Sequence, residues 1–280
     1  MRVRSRHEEY RQILALRNSA LPEFHAQQKQ AAVSLGRLLR QVKARVVWDI
    51  GVGSGEIVAA LAASNPGIRF LGFDESPAML AVARRRVCKN KNVSLHVGEV
   101  PKYRPPGGRA DLAFCVGHTA PHFGAHALCG WLSKLGSLRP STLCVDFISN
   151  WDELLSRPAS VDWRRYVSVR GAAQVGFIGT IVDGSQVWRT LAAGRITPGR
   201  SRFPSGRVHA VTVRQIAEPT SRYLVVLRTA GYKYSHTFSY ETGWGRMQAM
   251  VFTTTTDRPL VQAGQTSSQS KHHVFRKCGE

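Results

Sequence analysis

No run of about 18 apolar residues, the length that would cross a bilayer, occurs in this 280-residue chain, so no membrane span is expected. The stretch Met1-Arg2-Val3-Arg4-Ser5-Arg6-His7-Glu8-Glu9 lacks an apolar core and does not read as a secretory signal. Cysteine is sparse, with five residues (Cys88, Cys115, Cys129, Cys144, Cys278), an odd number without any Cys-x-x-Cys. That pattern points to free thiols in a reducing compartment, read here as the cytoplasm, and offers no zinc site. Acidic residues are scarce as well: 18 Asp and Glu stand against 39 Lys and Arg, for a net charge of +21. Such an excess favours anionic partners. The basic residues are nevertheless scattered, with no dense block interleaved with aromatics, so a nucleic-acid partner is left open rather than required. There are no internal repeats, and the length suits one substantial α/β core with room for an added lobe.

What is present organises itself around Val46-Val47-Trp48-Asp49-Ile50-Gly51-Val52-Gly53-Ser54-Gly55-Glu56, which reads as a buried strand, a glycine-dense turn and the start of a helix from Ile57 to Ala63. Glycines here let backbone amides approach a ligand closely, and the helix N-terminus adds a positive dipole end. A dinucleotide fingerprint would need Gly-x-Gly-x-x-Gly, and a P-loop would need a closing Gly-Lys-Ser/Thr; neither is found. A second acid, Asp74, ends the next strand, Arg69-Phe70-Leu71-Gly72-Phe73, and an acid about 20 residues beyond a glycine loop is placed to accept ribose hydroxyls. Ser76 and Pro77 follow as N-cap and first residue of a helix. Strands are expected at Arg45–Ile50, Arg69–Phe73, Val93–Val97, Ala110–Val116 and Thr142–Ile148, alternating with helices. This is the pattern of a Rossmann-like, doubly wound α/β sheet with mainly parallel strands.

The glycine loop with its preceding acid, together with Asp74, resembles the class I S-adenosylmethionine-dependent methyltransferases. The resemblance covers residues 44–150 well and 207–256 loosely, and it implies S-adenosylmethionine as cofactor, with S-adenosylhomocysteine as product. It also implies cofactor-binding roles for Asp49, Gly51, Gly53 and Gly55, for Asp74 at the ribose, and for Glu99 and Val100 near the adenine. Val116 and Gly117 complete that set.

The loop after the fourth strand narrows the acceptor. It lacks the Asn/Asp-Pro-Pro-aromatic box of methyltransferases acting on exocyclic amines of bases, and Cys115 has no preceding proline of the kind carbon-5 pyrimidine enzymes need. Gly117-His118-Thr119-Ala120-Pro121-His122-Phe123 instead resembles the Gly-Asn-Ser-x-x-His-Leu loop of the glycine N-methyltransferase group, with His118 in place of Asn and Thr119 in place of Ser. His118 and His122 are the candidates for orienting or deprotonating an acceptor. Thr119, Trp151 and Tyr10 are the candidate substrate-contacting residues. His118, His122 and His126 have no carboxylate beside them, and no metal is expected. Asn150-Trp151-Asp152 resembles the Asn-Tyr-Asp segment of the same group, but Ser149 stands where that group has a carboxylate-gripping arginine.

The expected organisation is a helical cap over 1–43, a cofactor-binding core over 44–162, an antiparallel β insertion over 163–206, the end of the core over 207–256, and a disordered tail over 257–280. In the cap, Ala31, Val33, Leu35, Leu38 and Leu39 are read as one apolar stripe. The basic run Arg84, Arg85, Arg86, Lys89 and Lys91 is read as a solvated helix face. The implied function is methyl transfer to a nitrogen or oxygen of a small molecule, with secondary metabolites and amino sugars among the candidates. The alternative is an RNA or protein methyltransferase using the basic surface. The oligomeric state is left open, a dimer included.

Overall fold

The computed structural model describes residues 22–117, 119–149, 151–152, 160–170, 173–183, 186–194, 209–216, 218–242 and 245–255. The first 21 residues of the expected cap, Tyr10 among them, His118 and the tail from 257 onward lie outside the described residues.

A mixed seven-stranded sheet forms the centre. In chain order its elements are α1 (Pro22–Gln41), β1 (Val46–Ile50), α2 (Glu56–Ser64), β2 (Arg69–Asp74), α3 (Pro77–Arg86), β3 (Val93–Val97), β4 (Leu112–Cys115), α4 (Gly124–Leu135) and β5 (Thr142–Ile148). After an inserted sheet come α5 (Thr220–Thr229) and the last two strands, which take the labels β10 (Tyr232–Thr242) and β11 (Gly245–Thr254) once β6–β9 are counted. The strand order is β10-β11-β5-β4-β1-β2-β3. Strands β1 to β5 pair in parallel, while β11 runs antiparallel to both β5 and β10. The chain proceeds from β1 outward to β3 and then returns to place β4 on the other side of β1. That reversal is the topological switch point, where open α/β sheets bind ligands beyond their strand carboxyl ends.

Side chains alternate across the pleat, and both faces are covered. Trp48, Leu71, Ala113, Cys115, Val145 and Phe147 point into one core with Leu128, Trp131 and Leu132 of α4 and Tyr223 and Leu227 of α5. Val47, Phe70, Leu112, Phe114 and Cys144 point into the other, against Ala31, Leu35, Leu38 and Leu39 of α1 and Val58 and Leu61 of α2. Sheets buried on both faces read as near-continuous apolar runs, which is why these strands were legible. Val33 departs from the expected stripe and is 60% exposed. At 100° per residue it lies about 200° around the helix from Ala31, on the far side from Leu35 and Leu38. Among the described residues no helix is long and apolar enough to cross a membrane.

The inserted sheet is β6 (Ser160–Arg170), β7 (Ala173–Asp183), β8 (Gln186–Gly194) and β9 (His209–Ile216), each paired antiparallel with the next. It begins before 163 and takes in His209–Ile216, which the sequence boundary at 207 had assigned to the core. Strand β9 pairs with β8 along its whole length, from Gln186↔Ile216 to Ala193↔His209, so it belongs to this sheet. Asp183 faces Gln186 at the end of the β7–β8 pair.

Candidate active site

The carboxyl ends of β1, β2, β3 and β4 meet at the switch point, and the glycine loop between β1 and α2 lies at its centre. Gly51 and Val52 donate their amides to the Phe73 carbonyl at 2.8 and 3.0 Å, which lays the loop across the end of β2. Asp74 holds it from the other side. Its Oδ2 accepts the Gly53 amide at 3.0 Å and its Oδ1 the Ser76 amide at 2.8 Å. Ser76 in turn caps α3, its hydroxyl accepting the Met79 amide at 3.3 Å. Asp49, one turn of pleat before Gly51, is 4% exposed. Burial pushes its carboxyl well above the usual carboxylate range, and the charges of Asp74 and Glu56 add to the shift.

A buttress that the sequence reading missed supports this loop. Glu56, the first residue of α2, accepts the Ser54 hydroxyl at 2.8 and 2.7 Å and pairs with Arg86 at 2.7 Å. Arg86 also donates to the Ser54 carbonyl. The helix α3 ends at Arg86, so Lys89 and Lys91 do not extend its face, and Arg86 itself turns inward rather than into solvent. Arg86→Ala is expected to lower stability by about 1.5–3 kcal/mol, the scale of hydrogen bonds to a charged group. A urea midpoint equal to that of the unmodified chain would rule out the buttress.

The adenine-side expectation places Glu99 and Val100 just past β3, where the Gly98 amide donates to the Asp74 carbonyl at 3.0 Å. Glu99 is half-exposed and pairs with Lys102 at 3.1 Å, whereas Val100 is buried. Tyr103 packs over Gly98 and meets Phe73 at 4.6 Å between ring centroids.

Across the switch point, the loop after β4 closes onto the glycine loop. Thr119 donates its hydroxyl to the Val116 carbonyl at 2.9 Å. Its methyl sits where a side chain on Gly51 would have to go: a Cβ there would lie 2.3 Å from Thr119 Cγ2, and φ at Gly51 is +71°. Gly117 is the contrasting case. Its φ is +76°, but a Cβ would meet nothing within 4 Å, so the space beside it is open. His122 ends a one-turn 3-10 helix, Ala120–His122, with its amide on the Thr119 carbonyl at 3.0 Å, and strand β9 of the inserted sheet lies against this turn. Thr119 is therefore brought to the glycine loop, and His122 follows one 3-10 turn further along. His126 faces outward on α4, 2.5 Å from Arg222. Cys115 is fully buried, and burial with the nearby Asp146 and Asp49 charges pushes its thiol well up, which leaves it protonated and out of reach as a nucleophile.

Trp151 is 3% exposed, packs in the α4/α5 core and donates its indole N–H to the Glu218 carbonyl at 2.8 Å. Asp152 accepts the Thr220 amide at 2.7 Å and also its hydroxyl. The two chain segments that lead into and out of the inserted sheet are thus tied to each other. Glu218 adds a third link, its Oε2 accepting the Ala125 amide at 2.6 Å in the first turn of α4, a favourable place for negative charge. Glu218 gave no signal in the sequence beyond its position before Pro219.

The carboxylates present are acceptors and could hold a ligand that offers a cation and hydroxyls. A buried acid, Asp49, lies on β1 two residues before Gly51, a second carboxylate ends β2, and the space beside Gly117 is open.

Residues 47–138 match the family model described as methyltransferase domain. Over 112 residues the chain is 36% identical to trans-aconitate 2-methyltransferase of Methylobacterium nodulans, an alignment covering 40% of this chain and 38% of that relative. The matched segment therefore spans well under half of the curated relative. Among solved structures, a SAM-bound amino pentose methyltransferase from Micromonospora echinaspora superposes with a TM-score of 0.61 at 18% identity, covering 91% of this chain and 99% of the other. A sugar N-methyltransferase from a Streptoalloteichus species gives 0.61 at 19% identity over 84% and 91%. A methyltransferase from Streptomyces caelestis gives 0.62 at 16% over 81% and 89%. The structural likenesses establish a Rossmann-like fold.

Proposed function

We propose that this protein is an S-adenosylmethionine-dependent methyltransferase acting on a small molecule, with an amine such as that of an amino sugar as the preferred acceptor. The observation that carries the reading is the closure of the loop after β4 onto the glycine loop, Thr119 against Gly51, at the switch point of the sheet. When bound, S-adenosylmethionine supplies an electrophilic methyl on a sulfonium. The chain's own residues do the rest. Asp74 and the glycine loop hold the ribose end, Asp49 faces the cationic end, and Glu99 and Val100 flank the base. The loop from Gly117 to Phe123 presents the acceptor, with Thr119 and His122 orienting it. An amine must arrive neutral to attack, and an imidazole titrates in the range where it can take that proton. The inserted sheet beside the 3-10 turn helps exclude water from the acceptor side. His118 shares this role in the glycine N-methyltransferase-like reading of the loop.

A second reading rests on charge. The curated relative is named for a polycarboxylate, and a chain of net charge +21 attracts anionic acceptors. Carboxylate O-methylation needs no deprotonation at neutral pH, so the two acceptors differ in pH dependence. Turnover of an amine is expected to climb as pH rises towards the amine's own pKa, and turnover of a carboxylate to stay flat.

The test is transfer from labelled S-adenosylmethionine to panels of small amines, small carboxylates, RNA and protein. His122→Ala and His118→Ala are each expected to lower turnover at least about tenfold while cofactor affinity holds. Labelling confined to RNA, and collapsing between low and moderate salt as polyanion binding does, would replace the small-molecule reading with a nucleic-acid one.

A further inference from the structure

Asp146 has no part in the scheme above, yet it is a carboxyl at the carboxyl end of β5 with no exposed surface. Burying such a group is costly unless hydrogen bonds hold it. Its Oδ2 accepts the Gly117 amide at 2.8 Å. The same oxygen receives the hydroxyl of Tyr240, which reaches it from β10 across the intervening strand β11. Burial and the Asp146 charge push the Tyr240 phenol well up, so it remains a donor.

The amide in question belongs to the Val116–Gly117 peptide, whose N–H and C=O point in opposite directions within one rigid plane. Its other end is also held, because the Val116 carbonyl accepts the Thr119 hydroxyl at 2.9 Å. The Thr119 methyl then rests on Gly51. A continuous path therefore runs from Tyr240 through Asp146, across one peptide plane, through Thr119 to the cofactor loop. Glycine at 117 removes the steric barrier that would otherwise fix the plane, and the space beside it is open. Orientation has to come from the hydrogen bonds.

Resting on the methyltransferase reading, we propose that Asp146 and Tyr240 are positioning residues that lock the Val116–Gly117 peptide and so set the acceptor loop at its working distance from the cofactor loop. Neither touches the reacting atoms. Their effect falls on alignment, where a displacement of about 1 Å can cost about a hundredfold in rate.

Three variants test this: Asp146→Ala, Asp146→Asn and Tyr240→Phe. Each is read by amide hydrogen exchange at Gly117, by calorimetry with S-adenosylhomocysteine, and by turnover of the best acceptor in the panel. Asp146→Ala is expected to expose the Gly117 amide to exchange and to lower kcat about a hundredfold, with the affinity for S-adenosylhomocysteine within about threefold of the unmodified chain. Asparagine with its amide oxygen at the Oδ2 position can still accept both the Gly117 amide and the Tyr240 hydroxyl. Asp146→Asn should therefore recover both amide protection and most of the rate, whereas Tyr240→Phe should give a loss of about tenfold. A folded Asp146→Ala with Gly117 still protected overturns the proposal. So does an Asp146→Asn variant that protects the amide but is as slow as the alanine, because charge rather than position would then matter. Should the alanine variant fail to fold, unchanged Gly117 exchange in Tyr240→Phe overturns it equally. Absence of methyl transfer by the unmodified chain counts against the proposed function alone, since the exchange arm still reads the clamp.

Discussion

Asp49→Asn is expected to raise the melting temperature of the ligand-free protein by a few degrees at neutral pH and, in the same molecule, to weaken S-adenosylhomocysteine about 10- to 100-fold. Both effects follow from one carboxyl. Burial holds its pKa above the ordinary value, and the neighbouring Asp74 and Glu56 charges push in the same direction. The folded chain thus binds this proton more tightly than the unfolded chain does. Its contribution to stability is full below the unfolded value near 4 and is lost as pH rises through the folded value. Asparagine of the same shape does not ionise, so the difference in melting temperature between variant and unmodified chain should open as pH rises from about 4 towards neutrality. A bound cation beside Asp49, such as the α-ammonium that S-adenosylhomocysteine retains, would reverse the balance by favouring the charged form. Thermal scans across pH, with and without S-adenosylhomocysteine, separate the two. Equal melting curves at every pH, with equal affinity, would remove Asp49 from the cofactor's cationic end.

The second large effect is expected at Gly51. Alanine there must adopt a φ of +71° and place its Cβ 2.3 Å from Thr119 Cγ2. The left-handed conformation alone costs about 1–2 kcal/mol, and the contact forces the two loops apart at the point where they should meet. Gly51→Ala should therefore lose both cofactor affinity and turnover, each by more than about a hundredfold. The companion change Thr119→Ser deletes the offending methyl and keeps the hydroxyl for the Val116 carbonyl. In the double variant the 2.3 Å clash goes, contacts of 3.3 and 3.4 Å with the residue 119 oxygen and Cβ remain and the backbone strain stays, so recovery should be partial. Full recovery would show that φ at this residue is unimportant, and no recovery would show that the loops do not meet through Thr119. Calorimetry on the two variants decides between these outcomes.

The parts of the site that were legible in sequence are those where one residue type solves a local problem. Ser76 and Pro77 announced the start of α3 because a hydroxyl cap and a proline at the first position belong at a helix N-terminus. The glycine loop was legible because side chains are excluded there, and the parallel strands because burial on both faces makes them uniformly apolar. What stayed hidden depends on partners distant in the chain. Arg86 looked like one cation in a basic run, and only the fold brings it to Glu56, thirty positions away. Asp146 did leave a trace, an acid inside the apolar run Leu143-Cys144-Val145-Asp146-Phe147-Ile148. Its meaning needs Tyr240 and Gly117, which arrive from other strands. The boundary of the inserted sheet was misplaced for a similar reason: nothing local marks His209–Ile216 as pairing with β8 rather than with the core.

The hydrogen bonds from Trp151 and Asp152 to Glu218 and Thr220 have a bearing on how such a chain can change over time. They bring the two ends of the inserted sheet to within bonding distance of each other on the core. A segment whose ends already meet can be shortened, lengthened or replaced by another without lengthening any path through the main sheet. Loop closure makes such exchanges cheap, since the entropic term grows only as the logarithm of length. The main sheet can then stay constant while the part beside the 3-10 turn is swapped for another.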